Sequence, residues 1–265
     1  MRGIRGQAES PRPSGGILLD CDFPDPSQTG EKPTLRALDI GTSIGASLAR
    51  LAVGARVGSL GPRPEQPLEL FEFEGCPYCR KAREALSVLD LEAWIRPCPK
   101  GGSRFREQVK AQGGRTLFPY LVDPNSGKQM YESDDIVAYL FQEYGEGAVP
   151  ALLRPGPVTD MTAMLASAWR PLFGVRYRPA REPEQPLELY SFEASPYCRL
   201  VRETLSSLEI PYLLHNVAKG SPSRPKFVER AGRMLVPYLV DPNTGTEMFE
   251  SGAIHRYLVE TYAQA

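Results

Sequence analysis

The stretch Glu69-Leu70-Phe71-Glu72-Phe73-Glu74-Gly75-Cys76-Pro77-Tyr78-Cys79-Arg80 decides the fold of this chain. Its apolar residues Leu70, Phe71 and Phe73 predict a β-strand, and Gly75 predicts a turn after it. Pro77 suits the first position of a helix, where the N–H that proline lacks would have no partner. The stretch therefore predicts a strand, a turn and a helix that begins between two cysteines.

The two cysteines of this stretch have the spacing of a redox pair. Cys76 lies at or next to the N-cap, where backbone N–H groups and the helix dipole favour a thiolate and lower the pKa of Cys76. Cys79 lies one helical turn further on, where it can attack a mixed disulfide formed on Cys76. We predict that Cys76 is a nucleophile and Cys79 a resolving thiol.

A zinc site is the alternative interpretation of two cysteines at this spacing. The other cysteines, Cys21, Cys98 and Cys198, form no second pair, and the only histidines are His215 and His255. The strand–turn–helix context also suits redox chemistry better than a zinc knuckle. We therefore predict no metal site.

Composition indicates a globular protein with two domains. The 265 residues are 42% hydrophobic and 24% charged, with a net charge of −1 that favours neither nucleic acid nor an anionic membrane as a partner. No run of eighteen apolar residues predicts a membrane span. Five scattered cysteines suit a reducing compartment. We expect a cytoplasmic location; the alternative is the plastid stroma, although the acidic residues near the N-terminus are unusual for a transit peptide.

A long internal duplication determines the domain organisation. The segment Pro-Glu-Gln-Pro-Leu-Glu-Leu at 64–70 returns unchanged at 183–189, and Pro-Tyr-Leu-Val-Asp-Pro-Asn at 119–125 returns at 237–243. Cys-Pro-Tyr-Cys-Arg at 76–80 is answered by Ser-Pro-Tyr-Cys-Arg at 195–199. A match of this length predicts two tandem copies of one structural unit.

Each copy predicts the same order of elements, βαβ-α-ββ-α. Asp-Pro-Asn forms the turn of the hairpin, and Ser133 or Ser251 is the expected N-cap of the last helix. This order implies a four-stranded mixed sheet with helices on both faces, in an α/β fold. The expected boundaries are a flexible arm at 1–33, a helix and linker at 34–62, a first domain at 63–145, a linker with a helix at 146–182 and a second domain at 183–265.

These motifs together resemble a known family. The element order, Cys-Pro-Tyr-Cys at the first helix, the proline before the hairpin and Glu-Ser at the last helix are similar to glutaredoxins. They resemble still more the N-terminal domain of omega-like glutathione transferases. The resemblance implies two tandem domains, each with a thioredoxin fold. The resemblance covers residues 64–145 and 183–263.

The resemblance implies glutathione as co-substrate and a glutathione site in each copy. Pro119 and Pro237 would be cis prolines, and Glu132 and Ser133 would hold the γ-glutamyl group. In the first copy the implied site consists of Cys76, Tyr78, Phe118, Pro119, Glu132 and Ser133. In the second copy it consists of Ser195, Tyr197, Val236, Pro237, Glu250 and Ser251. A plain N-cap at Ser133 and a trans, strand-edge Pro119 remain the structural alternatives.

The chain departs from the family pattern at two points. Glutathione transferases carry an all-helical second domain that binds the electrophile, and here a linker with one short helix takes its place. In the second copy Ser195 replaces the nucleophile, and an alcohol forms no mixed disulfide. Cys198 without a partner thiol is expected to be an apolar, partly buried residue.

Three functions are compatible with the sequence. We expect a glutathione-dependent thiol–disulfide oxidoreductase that reduces disulfides or glutathionylated substrates, with the second copy binding glutathione or a partner. A non-catalytic tandem binding or scaffold protein is the second reading. A glutathione transferase without the helical domain is the third.

Overall fold

The computed structural model describes residues 33–48, 50–58, 60–168, 170 and 172–264. Apart from Pro33, the predicted N-terminal arm lies outside these residues, and so does Cys21. None of the described helices is both long enough and apolar enough to cross a membrane.

Both copies have the predicted order of elements. The first copy follows helix α1 (Pro33–Leu48) and consists of β1 (Leu68–Glu72), α2 (Pro77–Val88), β2 (Ala93–Pro97), α3 (Arg104–Gly113), β3 (Tyr120–Asp123), β4 (Lys128–Met130) and α4 (Ser133–Tyr144). A 3-10 helix (Ala151–Leu153) and α5 (Pro157–Ala168) connect it to the second copy. That copy consists of β5 (Leu187–Ser191), α6 (Pro196–Ser207), β6 (Tyr212–Asn216), α7 (Arg224–Ala231), β7 (Tyr238–Asp241), β8 (Thr246–Phe249) and α8 (Ser251–Tyr262).

The strands form one continuous eight-stranded sheet. Its order is β4-β3-β1-β2-β6-β5-β7-β8, so each copy contributes a four-stranded mixed half with one parallel pair. The halves join where β2 and β6 pair in antiparallel fashion, with Trp94 opposite Leu213. The thioredoxin-like fold of each copy is therefore confirmed, and the joining of the two edge strands is a feature that the sequence did not predict.

Three apolar clusters cover the two faces of the sheet. The largest lies under helices α2, α4, α6 and α8 and includes Leu70, Leu86, Leu189 and Leu205, so it runs through both copies. On the other face, α3 packs Phe105 beside Phe71 in the first copy, and α7 packs Phe227 beside Tyr238 in the second. Strand β1 is buried on both faces, so its consecutive Leu70 and Phe71 are both buried, whereas β2, β5 and β6 alternate between buried and partly buried residues.

The helix that precedes each copy packs on the opposite copy. Helix α1 lies against α6, where the Ser43 hydroxyl donates a 2.9 Å hydrogen bond to the Pro196 carbonyl. Helix α5 lies against α2, where the Lys81 ammonium is 2.8 Å from the Asp160 carboxylate. The two copies are thus held together by exchanged helices as well as by the shared sheet.

The first helix ends well within its expected segment, and the start of the last helix in each copy differs from the prediction. In the segment 34–62, expected to hold a helix and a linker, the helix ends at Leu48, before Leu51 and Ala52 with their positive φ angles of 49° and 53°. The last helices have Glu132 and Glu250 at the N-cap, with φ angles of 64° and 72°, so Ser133 and Ser251 are the first helical residues instead of the caps. The glutamate, one residue earlier, makes the turn out of the hairpin.

Candidate active site

The topology of each copy brings its three motifs to one end of the sheet. Strand β3 is antiparallel to β1 and places Tyr120 opposite Phe71, so Pro119 lies beside the turn that leads to Cys76. Strand β4 is antiparallel to β3 and places Met130 opposite Leu121, so Glu132 and Ser133 follow at the same end. The second copy repeats this arrangement through β5, β7 and β8.

The two thiols of the first copy have opposite tendencies to ionise. Cys76 is the N-cap of α2, and its sulfur accepts a hydrogen bond of 3.2 Å from the backbone N–H of Cys79. The Cys79 thiol and the N–H groups of Cys79 and Tyr78 lower the pKa of Cys76, although burial opposes them. Burial raises the pKa of Cys79 well above its ordinary value. Proton loss is therefore favoured at Cys76 over Cys79.

The nearby basic residues are not the cause of the low pKa of Cys76. Arg80, Lys81 and Arg83 lie close to Cys76 in sequence, but each is engaged by carboxylates. Hydrogen bonds from the adjacent thiol and the helix N-terminus take that role instead. The nearby Glu72 carboxylate opposes thiolate formation at Cys76.

Access to the Cys76 sulfur is narrow. Cys76 is 5% exposed, whereas the neighbouring Tyr78 is 42% exposed. The chain after α5 approaches this turn so closely that a Cβ atom on Gly75 would lie 2.2 Å from the Val175 side chain. A side chain at position 75 would therefore have to displace Val175.

The second copy keeps the geometry and loses the thiol. Ser195 is the N-cap of α6, and its hydroxyl oxygen accepts a hydrogen bond of 3.3 Å from the backbone N–H of Cys198. Cys198 is fully buried, and burial raises its pKa, in agreement with its expected apolar role.

The prolines before both hairpins adopt the predicted conformation. The Phe118-Pro119 and Val236-Pro237 peptide bonds are cis, so the trans alternative is wrong. The Phe118 ring packs edge-on against Phe73 at a centroid distance of 6.1 Å, and the Arg106 guanidinium lies 4.8 Å from its centroid. Val236, at the equivalent position, is buried.

The Glu-Ser pair has the same unusual backbone in both copies. Glu132 and Glu250 have positive φ angles of 64° and 72°, which are rare for residues other than glycine and cluster at functional sites. Glu132 is exposed, while Ser133 and Ser251 are buried at the first turns of α4 and α8. Each pair therefore combines a carboxylate, exposed at Glu132 and half-buried at Glu250, with a hydroxyl and free N–H groups at a helix N-terminus.

A buried network of charges, which the sequence analysis did not identify, lies between the two sites. Arg83 contacts Glu72 and reaches across to Glu193 at 3.0 Å, and Arg202 reaches back to Glu74 at 3.0 Å. All five side chains are at least 97% buried. The signal was present in the sequence, because Glu74 and Arg83 recur at the same positions of the second copy as Glu193 and Arg202.

Comparison with known proteins identifies the family. The family model described as "Glutathione S-transferase, N-terminal domain" matches residues 70–148 and 189–265. The chain therefore belongs to the glutathione S-transferase N-terminal domain family, which it contains in two tandem copies.

Similarity to individual proteins is weak. Among solved structures, a trimeric glutathione transferase of Leishmania matches with 13% identity, 76% of this chain and 68% of that chain covered, and a TM-score of 0.28. No curated protein sequence shows significant similarity to the chain.

Proposed function

We propose that the protein is a glutathione-dependent thiol–disulfide oxidoreductase with one catalytic thiol, Cys76. The observation that supports this proposal most directly is the hydrogen bond from the Cys79 N–H to the Cys76 sulfur, because it favours a thiolate at Cys76. Membership of the glutathione S-transferase family supports glutathione as the co-substrate. A CxxC pair cycles in a reducing compartment, so we propose the cytoplasm, or alternatively the plastid stroma.

The proposed reaction exchanges disulfides in two steps. The Cys76 thiolate attacks the glutathionyl sulfur of a mixed disulfide, forming a Cys76–glutathione disulfide and releasing the substrate as a thiolate. A second glutathione thiolate then attacks the glutathionyl sulfur, giving oxidised glutathione and restoring the Cys76 thiolate. Alternatively Cys79 loses its proton and attacks the Cys76 sulfur of the Cys76–glutathione disulfide, releasing glutathione as a thiolate. Two further glutathione molecules then reduce the Cys76–Cys79 disulfide and leave as oxidised glutathione.

Glutathione would bind at the end of the sheet where the motifs meet. Its γ-glutamyl carboxylate suits the Ser133 hydroxyl and the N-terminus of α4, and its amine suits the exposed Glu132 carboxylate. The backbone of Phe118, before the cis proline, would pair with the cysteinyl residue as an added strand pairs with a sheet edge. Tyr78 would line the entrance because it is the exposed residue next to Cys76.

The second copy would bind glutathione without reducing disulfides. Ser195, Tyr197, Val236, Pro237, Glu250 and Ser251 repeat the first site with a hydroxyl in place of the nucleophile. The Ser195 hydroxyl could donate a hydrogen bond to the thiolate of bound glutathione. This division assigns catalysis to one copy and ligand binding to both.

A non-catalytic binding protein is the second candidate. The observation in its favour is the 5% exposure of Cys76, which leaves little of the residue accessible to a bulky substrate. The two candidates differ in whether a covalent intermediate forms on Cys76.

Trapping of that intermediate tests the proposal. The Cys79→Ser variant, treated with oxidised glutathione, should accumulate one glutathione in disulfide linkage to Cys76, as measured by intact mass and peptide mapping. The matched Cys76→Ser variant should accumulate none at this site. Absence of the adduct in Cys79→Ser would favour the binding protein.

A further inference from the structure

One buried arginine between the copies has no acceptor for an edge of its guanidinium. Arg199 in α6 is 3% exposed, and its Nε and Nη2 atoms have no hydrogen-bond partner among the described residues. These two nitrogens form one edge of the planar fork with which arginine binds anions. The Glu74 carboxylate lies 4.0 Å from Nε, which is too far for a hydrogen bond. A buried N–H group without an acceptor costs free energy, so an acceptor is expected at this edge.

The same edge binds a carboxylate in four other buried arginines. Arg202 holds Glu74 through Nε and Nη2 at 3.0 and 3.1 Å. Arg170 holds Glu203 through the same two atoms at 2.6 and 2.7 Å. Two further pairs have this geometry, Arg50 with Glu84 and Arg83 with Glu193. The carboxylates of Glu74 and Glu203, which lie beside Arg199, are therefore each held by another arginine.

A small cavity lies beside this edge, between the two copies. Arg199 lines a cavity of about 10 Å³ together with Gly75, Arg80 and Arg170. Arg80 is the equivalent arginine of the first copy, and its Nε also makes no hydrogen bond within the described part of the chain, although two carboxylates lie 3.5 Å away. A cavity of this volume holds about one water-sized species. It is too small for a carboxylate or a phosphate group.

The charges around the cavity favour an anion over a water molecule. The buried arginines of the described residues are Arg50, Arg80, Arg83, Arg170, Arg199 and Arg202. The buried glutamates near them are Glu72, Glu74, Glu84, Glu193 and Glu203, and Asp39 pairs with Arg170 at the surface. Burial raises the pKa values of Glu72 and Glu203 to about 7, so both are partly protonated near neutral pH. Positive charge then predominates between the copies.

We propose that this cavity binds one chloride ion between the side chains of Arg199 and Arg80. The ion would accept hydrogen bonds from Nε and Nη2 of Arg199 and from Nε of Arg80, and it would offset the excess of positive charge. A single-atom anion fits because it needs no more room than the cavity offers. Gly75 lines the same cavity, so the ion would lie next to the turn that carries Cys76. This inference is independent of the proposed glutathione chemistry.

The chloride NMR line tests binding in solution. The wild-type protein should broaden the line of sodium chloride, because bound and free chloride exchange. Arg199→Met should lose most of this broadening, and it should still fold because methionine replaces a buried charge that lacks a partner. Arg178→Met changes an exposed arginine outside the cavity lining and should retain the broadening. Equal broadening by wild type and Arg199→Met, or none by wild type, would overturn the proposal.

Crystallography of the wild-type protein tests the position of the ion and does not depend on the folding of any variant. Crystals grown in sodium chloride, measured near the chlorine absorption edge, should show an anomalous peak within hydrogen-bonding distance of Nε and Nη2 of Arg199. A peak at this place supports the proposal. A water molecule without anomalous signal at this place, or an empty cavity, would contradict it.

Discussion

The backbone N–H of Cys79 lies 3.2 Å from the sulfur of Cys76, at the first turn of α2. The same relationship in the second copy joins the N–H of Cys198 to the hydroxyl of Ser195 at 3.3 Å. The atom at the N-cap, sulfur in one copy and oxygen in the other, therefore separates the chemistry of two sites that share a fold, a cis proline and a Glu-Ser pair. Thiol chemistry is expected at the first site alone.

Alkylation should single out Cys76. Its pKa is lowered, while burial raises the pKa values of Cys79, Cys98 and Cys198. In a Cys21→Ser background, iodoacetamide at pH ~6, below the pKa of a free thiol near 8.5, should label Cys76 first. Peptide mapping over time measures the order of labelling. Earlier labelling of Cys79 or Cys98 would show that the thiolate is wrongly assigned.

The charge network between the copies should be essential for stability. Arg83→Met removes the partner of Glu72 and the link to Glu193, and should lower the free energy of unfolding by about 3–5 kcal/mol. Denaturant unfolding measures this. The exposed Lys128–Glu143 pair is the control, and Lys128→Ala should cost less than about 1 kcal/mol. Equal effects at the two positions would contradict the role given to the network.

Stability should depend on pH through Glu203. Burial raises its pKa from 4.5 to about 7, so the folded state retains a proton that the unfolded state releases. The stability from this proton is full below pH about 4.5 and is lost as the pH rises to about 7. The unfolding free energy of wild type, minus that of Glu203→Gln, should therefore decrease as the pH rises across this interval. A constant difference would disprove the shifted pKa.

Calorimetric titration should distinguish two glutathione sites. Wild type should bind two molecules of glutathione, and the variant Glu250→Ala with Ser251→Ala should bind one, because it loses a charged partner for the amine and the hydroxyl of the site. Glu132→Ala with Ser133→Ala is the matched change in the first copy. If wild type binds one molecule and loses it only through Glu132 and Ser133, the second copy has no ligand role.

The sequence predicted the parts of the structure that depend on local chemistry. The repeated motifs predicted the order of elements in each copy and the helix that begins after Cys76, whereas the cis bonds before Pro119 and Pro237 were implied by the family resemblance. The predicted start of the last helix was wrong by one residue. A glutamate in the sequence gives no sign that its φ angle will be positive, as it is at Glu132. Sequence patterns describe local preferences well and rare backbone angles poorly.

The arrangement of the two copies could not be predicted in this way. The pairing of β2 with β6 joins two edge strands, and nothing in Trp94 or Leu213 specifies a partner so distant in sequence. The exchanged positions of α1 and α5 also depend on contacts between the copies. The pKa of Cys76 is lowered chiefly by the Cys79 thiol, which the sequence did not predict, and also by the N–H groups of the helix N-terminus, which it did.

Glutathione-dependent reduction of a glutathionylated peptide tests the central claim most directly. The initial rate should be compared for wild type, Cys76→Ser and Cys98→Ser at equal concentration. We predict that Cys76→Ser falls to the uncatalysed rate and that Cys98→Ser, a change at a thiol outside the site, keeps most of the activity. Undiminished reduction by Cys76→Ser, or no reduction by folded wild type, would contradict the assignment of Cys76 as the catalytic thiol.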